Sequence, residues 1–265
     1  MAKSPKIKPF VPASDDPLVQ EHAAVSAWIE EAIGTLGEHN YYKDLNLKEI
    51  PSGQTLLSGN PEQSQRYVMA AIPQVSYWEQ LASQIRARET NDIERSNPHL
   101  SPGWSQAWGR RRQAEAVVGT LMRRNLPFNQ ADLLALLSWC CDEENHSLSF
   151  TPIGPIIRTL ERYVSANTID DEFRDTMKRF ALRLRSGHHK DHKKYGTAVE
   201  QLCLNGQSES PSESTVPVEP TPNPAPSGSP AILDAIKRLL NIFPSEEIPA
   251  TTLIEPDQFP LRNDS

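Results

Sequence analysis

A chain of 265 residues, 37% hydrophobic and 23% charged, has enough apolar material for one sizeable core or two small ones. No run of about 18 apolar residues occurs, and the lysine-bearing start (Lys3, Lys6, Lys8) lacks a signal-like apolar stretch, so membrane spanning and export by that route are not expected. The net charge of -7 is uneven: residues 206–265 hold nine acids against three bases, which leaves the preceding part nearly neutral.

In chain order, residues 1–14 read as a disordered basic arm and residues 15–205 as a helical domain. The first helix opens at Asp15 or Asp16 with Pro17 in its first turn, places Leu18, His22, Val25, Ile29, Ala32 and Leu36 on one stripe, and stops at Gly37. Residues 38–59, interrupted by Pro51, Gly53 and Gly59, read as a connector with little regular structure. Asn60–Pro61 opens a second helix through Val68, Ile72, Val75 and Trp78, with a kink or break expected at Pro73, where a backbone donor is missing. Ser101–Pro102 starts a third, with Trp104, Trp108, Ala114, Val118 and Leu121 on one side and an end near Asn125.

Residues 128–144 carry the strongest local signals: Asn129 as N-cap, Asp132 in the first turn, and Phe128 placed to staple onto Leu133. Apolar residues wrap most of this helix, which predicts a central position. Thr151–Pro152 opens the next, with Ile153, Ile156, Ile157 and Leu160 in register. A further helix begins at Thr168, with Asp171 in capping-box position and Gly187 as its end, and residues 190–204 form another despite Gly196. No segment alternates polar and apolar residues as a half-exposed strand would. The expected fold class is therefore all-α: an irregular helical bundle or a short stack of helical hairpins.

Residues 206–230 turn abruptly to proline and serine among polar and acidic residues, a composition that buries too little apolar surface to order itself. They read as a disordered linker, whose roughly 25 residues span about 25–30 Å. Residues 231–243 follow as a docking helix with Ile232, Leu233, Ile236, Leu239, Leu240 and Phe243 on a broad apolar face, and residues 244–265 as a disordered acidic tail.

Residues 152–185, with an amphipathic helix, an acidic turn at Asp170 and Asp171, and Phe173–Arg174 opening a second amphipathic helix, resemble a HEAT or armadillo-type helical hairpin. The resemblance implies a curved stack that binds partners and carries no catalytic residues.

Three constellations bear on function. The six apolar residues from Ile232 to Phe243 suit docking in a groove, because burying them is worth on the order of 5–10 kcal/mol before ordering costs. A protein partner is the expectation, and a non-catalytic adaptor the favoured role. Alternatively, Arg179, Arg183, Arg185, Lys190, Lys193 and Lys194, with Arg110–Arg112 and Arg123–Arg124 elsewhere, form a phosphate-binding face for nucleic acid; their ordinary role is the solvated side of amphipathic helices. His188 and His192 share helical spacing suited to a metal, but lysines surround them and further ligands are missing, so no metal or cofactor is expected. Cys140 and Cys141 diverge by about 100° on a helix and read as packing residues. Three cysteines without disulfide spacing fit a reducing, cytoplasmic setting. No phosphate-cradling loop, nucleophile elbow or zinc-protease motif is present, and an enzyme of unknown reaction remains the third reading.

Overall fold

The computed structural model describes residues 7–37, 43–88, 102–143, 147–148, 151–187 and 190–205. Among them are eight α-helices and one 3₁₀ turn, with no strand. The helices are α1 (Val19–Leu36), α2 (Pro51–Ser58), α3 (Pro61–Arg88), α4 (Pro102–Leu121), α5 (Gln130–Cys141), α6 (Ile153–Ala166), α7 (Asp171–Ser186) and α8 (Lys190–Asn205), with the 3₁₀ turn at Leu47–Glu49. The expectation of an all-α chain is met.

Asp16 sets the start of α1: its Oδ1 accepts the Leu18 N–H at 2.8 Å, one of the donors that a helix start leaves open. At the other end Gly37 takes a positive φ of 79° and donates its N–H to Ile33 O at 2.8 Å. The buried face of α1, Val25, Trp28, Ile29, Ala32 and Ile33, lies across α3 and α4.

The centre of the molecule is the α3–α4 pair, which makes the most extensive helix–helix contact. Over residues 67–76 every side chain of α3 is buried, and α4 is enclosed almost as completely. Of the kink or break expected at Pro73, the break does not occur; α3 continues through it for 28 residues. An interior proline costs about 3 kcal/mol, and burial of its whole neighbourhood, Ala70 to Val75, offsets that cost.

The expected connector at residues 38–59 is corrected as well. Pro51 occupies the first turn of α2, and Gly53 lies inside that helix because a Cβ there would stand 2.1 Å from Leu47 O. What reads as a breaker in sequence is the point at which the 3₁₀ turn closes on the helix.

Helix α5 has the expected N-cap at Asn129, whose Oδ1 accepts Asp132 N–H at 2.9 Å, and Asp132 completes a capping box by accepting Asn129 N–H. It is buried on several sides, yet it flanks the α3–α4 centre, packing against α7 and α3. The cap of α7 is Asp170, whose Oδ1 accepts Phe173 N–H at 2.8 Å, so this helix begins at Asp171 instead of using Asp171 in a box opened by Thr168. Helix α7 then lies along α8, and α8 also touches α6.

One core draws on all eight helices, from Val25 in α1 to Val199 and Cys203 in α8. A second, smaller cluster joins Trp78 and Ala82 of α3 to Trp104 and Ala107 of α4. Ile7 and Phe10, from the stretch expected to be an arm, pack against it, and Tyr77 Oη donates to Lys8 O at 3.3 Å.

Candidate functional site

The arginine run on α4 points in three directions, because successive helical residues diverge by about 100°. Arg110 grips Glu30 of α1 with two parallel bonds, Nε to Oε1 at 2.8 Å and Nη2 to Oε2 at 2.9 Å, while its guanidinium lies 5.5 Å from the Trp78 ring centre. Arg111, fully buried, donates to Glu79 Oε2 at 3.1 Å, Glu115 Oε2 at 2.7 Å and Ser147 O at 3.0 Å. Its other face covers Trp108 at 4.5 Å, and Trp108 stacks on Trp104 at 5.3 Å. Arg112 reaches Glu115 Oε2 at 3.3 Å and both carboxylate oxygens of Asp44, the nearer at 3.1 Å.

Two guanidiniums thus meet three carboxylates. Glu79 Oε1 also accepts Ser147 N–H at 2.9 Å, so the network ties the segments around Asp44 and Ser147 to the α3–α4 centre. Burial pushes the Glu115 carboxyl up to about 7, against the pull of Arg111 and Arg112, and Glu79 adds to the rise. Above this network opens a cleft of about 520 Å³, walled by Arg112, Glu115, Thr120, Arg123, Pro152 and Pro155 among others. Arg112 and Glu115 line the cleft while bonding each other and the network, which makes the cluster an internal clamp.

A second buried pair lies at the start of α1. His22 Nε2 is 2.9 Å from Asp16 Oδ2, and the Phe10 ring lies 5.2 Å from the His22 ring. Burial raises the Asp16 carboxyl, but the bonds from His22 and Leu18 outweigh it and the net shift is downward. Gln74 Nε2 donates to His22 O at 3.1 Å and Ser26 donates to Gln74, locking α1 to α3.

The basic series expected to contact nucleic acid divides. Arg183 turns inward and donates to Cys140 O, and Arg185 pairs with Glu200 across the α7–α8 hairpin at 2.6 Å. Arg179 is exposed and also donates to Thr176 Oγ1 at 2.9 Å; Lys190, Lys193 and Lys194 are exposed on α8. The other arginines are engaged internally: Arg110–Arg112 as described, and Arg124 donating to Leu57 O at 3.3 Å and Gly59 O at 3.2 Å behind α2, while Arg123 is exposed at the rim of the cleft. The apolar set Ile232, Leu233, Ile236, Leu239, Leu240 and Phe243 lies outside the described residues, as do the linker and acidic tail.

Cys140 is buried and its thiol is pushed well up by burial, with Cys141 adding to the rise; burial raises Cys141 too. Both therefore remain thiols at neutral pH, suited to packing. His188 lies outside the described residues, and His192 is half-buried on α8. Among the described residues no group of three His, Cys, Asp or Glu side chains is arranged to hold a metal ion, and no helix is long and apolar enough to cross a membrane.

The partners of the arginines are what sequence reading missed. Glu115 stands four residues from Arg111 and three from Arg112, a spacing visible in the sequence; Glu79 and Asp44 lie 32 and 68 residues away from their arginines and leave no local signal. Comparison with protein-family models, with curated proteins and with solved structures finds no match for this chain.

Proposed function

We propose that the chain is a non-catalytic adaptor: a helical body that carries a tethered apolar segment, Ile232 to Phe243, for docking in the groove of a protein partner. One observation supports docking outside the body. The eight described helices bury their apolar faces in one another, and the large hydrophobics they and their connections leave exposed are Val11, Val19, Leu182 and Leu204. Single leucines on separate helices are ordinary surface. Six further apolar side chains at helical spacing thus find no matching apolar groove there, and a partner supplies one by the helix-in-groove mode.

The likeness of residues 152–185 to a HEAT or armadillo-type hairpin belongs to the same proposal. It draws support from two consecutive amphipathic helices, α6 and α7, and from the Tyr163–Phe173 ring contact at 5.8 Å between them. A cytoplasmic setting fits the free thiols of Cys140, Cys141 and Cys203.

The test compares proteins co-purifying with the full chain and with an Ile236→Asp, Leu240→Asp double variant. Loss of a stoichiometric partner without a change in melting temperature supports docking; identical recovery from both chains rejects it. A second reading, nucleic-acid binding, rests on the exposure of Lys178, Arg179, Arg185, Lys190, Lys193 and Lys194 on one hairpin. A mobility shift at about 50 mM salt that is lost at about 200 mM identifies it.

A further inference from the structure

We propose that the acidic stretch at residues 246–257 docks in cis on the basic outer surface of the α7–α8 hairpin. Across the α7–α8 hairpin, residues 171–205, eight Lys or Arg face five acids, and the bases gather toward its turn: residues 176–199 contain seven Lys or Arg and one acid, Asp191. Lys178, Arg179 and Arg185 on α7 and Lys190, Lys193 and Lys194 on α8 are all exposed. The two helices are held close, since a Cβ on Gly196 would stand 2.6 Å from Arg185 Cγ and 2.8 Å from Ala181 O. That approach confines the cations to one hairpin, where Asp175 answers Lys178 at 2.9 Å and Glu200 answers Arg185, and the three lysines of α8 add charge of the same sign.

The matching charge lies in the same chain. Residues 246–257 contain Glu246, Glu247, Glu255 and Asp257 and no Lys or Arg. Length permits the contact. From the end of α8 back to Lys190 is about 22 Å at 1.5 Å per residue. The roughly 40 residues between Asn205 and Glu246 span about 35 Å root-mean-square as a flexible chain, which keeps the acids at an effective concentration on the order of millimolar. Covering the lysines in this way shields the hairpin from other polyanions at low salt, and the contact is independent of the partner assigned to Ile232–Phe243.

The experiment acylates the dilute full chain with an amine-reactive reagent and quantifies modification at each lysine by mass spectrometry, with exposed Lys48 as internal reference. The wild type is compared with E246Q/E247Q/E255Q/D257N, whose changes all lie outside the described body. At about 50 mM salt, acylation of Lys190, Lys193 and Lys194 rises about threefold or more in the neutralised variant, and the difference closes at about 1 M salt, where screening shortens to about 3 Å. Lys48 reacts equally in both. Equal rates at the three lysines at low salt overturn the proposal. Protection that grows with protein concentration assigns the acids to a second copy and overturns docking in cis.

Discussion

At Glu115 a carboxyl is 2% exposed, bonded to Arg111 and Arg112, and close enough to Glu79 to feel a like charge. Burial outweighs the two guanidiniums, and the carboxyl moves from 4.5 to about 7. A carboxyl raised on folding binds its proton more tightly in the native state, so its contribution is fully present below the unfolded value near 4.5 and is lost as pH rises through about 7. The wild type therefore gains about 2–3 kcal/mol from this group at about pH 5 relative to about pH 8, and Glu115→Gln removes that part of the pH dependence. Urea unfolding of both proteins at the two pH values measures it. Equal pH dependence in the two would show that Glu115 titrates normally. The buried clamp fixes geometry more than it adds stability, because desolvating two arginines and two glutamates consumes most of what their pairing returns.

Among the elements, α8 gives the clearest test of packing over propensity. Alanine favours a helix over glycine by about 1 kcal/mol, so local preference alone predicts that Gly196→Ala stabilises. A Cβ there meets Arg185 Cγ and, less forgivingly, the backbone oxygen of Ala181 at 2.8 Å. The substitution destabilises by about 1–3 kcal/mol, read as a lower melting temperature with helix content retained. A stabilised variant would mean that α7 and α8 are farther apart. Helix positions were legible wherever their cause is local: the Asn129–Asp132 box and Gly37 are written in adjacent residues. Three features were not. Gly53 and Pro51 read as breakers because the approach of Leu47 is a tertiary fact, Pro73 read as a kink or a break because the burial around it is, and α5 read as central because its apolar wrap does not reveal that the most extensive helix–helix contact joins α3 and α4. The clamp was half legible for the same reason, through the spacing of Arg111, Arg112 and Glu115 but not through Glu79 or Asp44.

Over the whole molecule, apolar burial and charge are partitioned along the chain. All eight described helices contribute to one core, and the proposed adaptor role has the apolar run from Ile232 to Phe243 dock on another surface. Net negative charge is concentrated after residue 205, where nine acids face three bases, and exposed lysines cluster on the hairpin immediately before it. An ionic contact between them is compatible with an apolar segment left open, because the docking acids lie beyond Phe243. The proposed function predicts a chain whose body is as protected as any folded domain while the segment proposed to dock, residues 231–243, is not. Hydrogen exchange on the monomeric full chain, read by mass spectrometry, tests this most directly: amides of residues 231–243 exchange within seconds while those of α3 and α4 remain protected for hours, and protection of residues 231–243 equal to that of α3 would contradict docking on a partner.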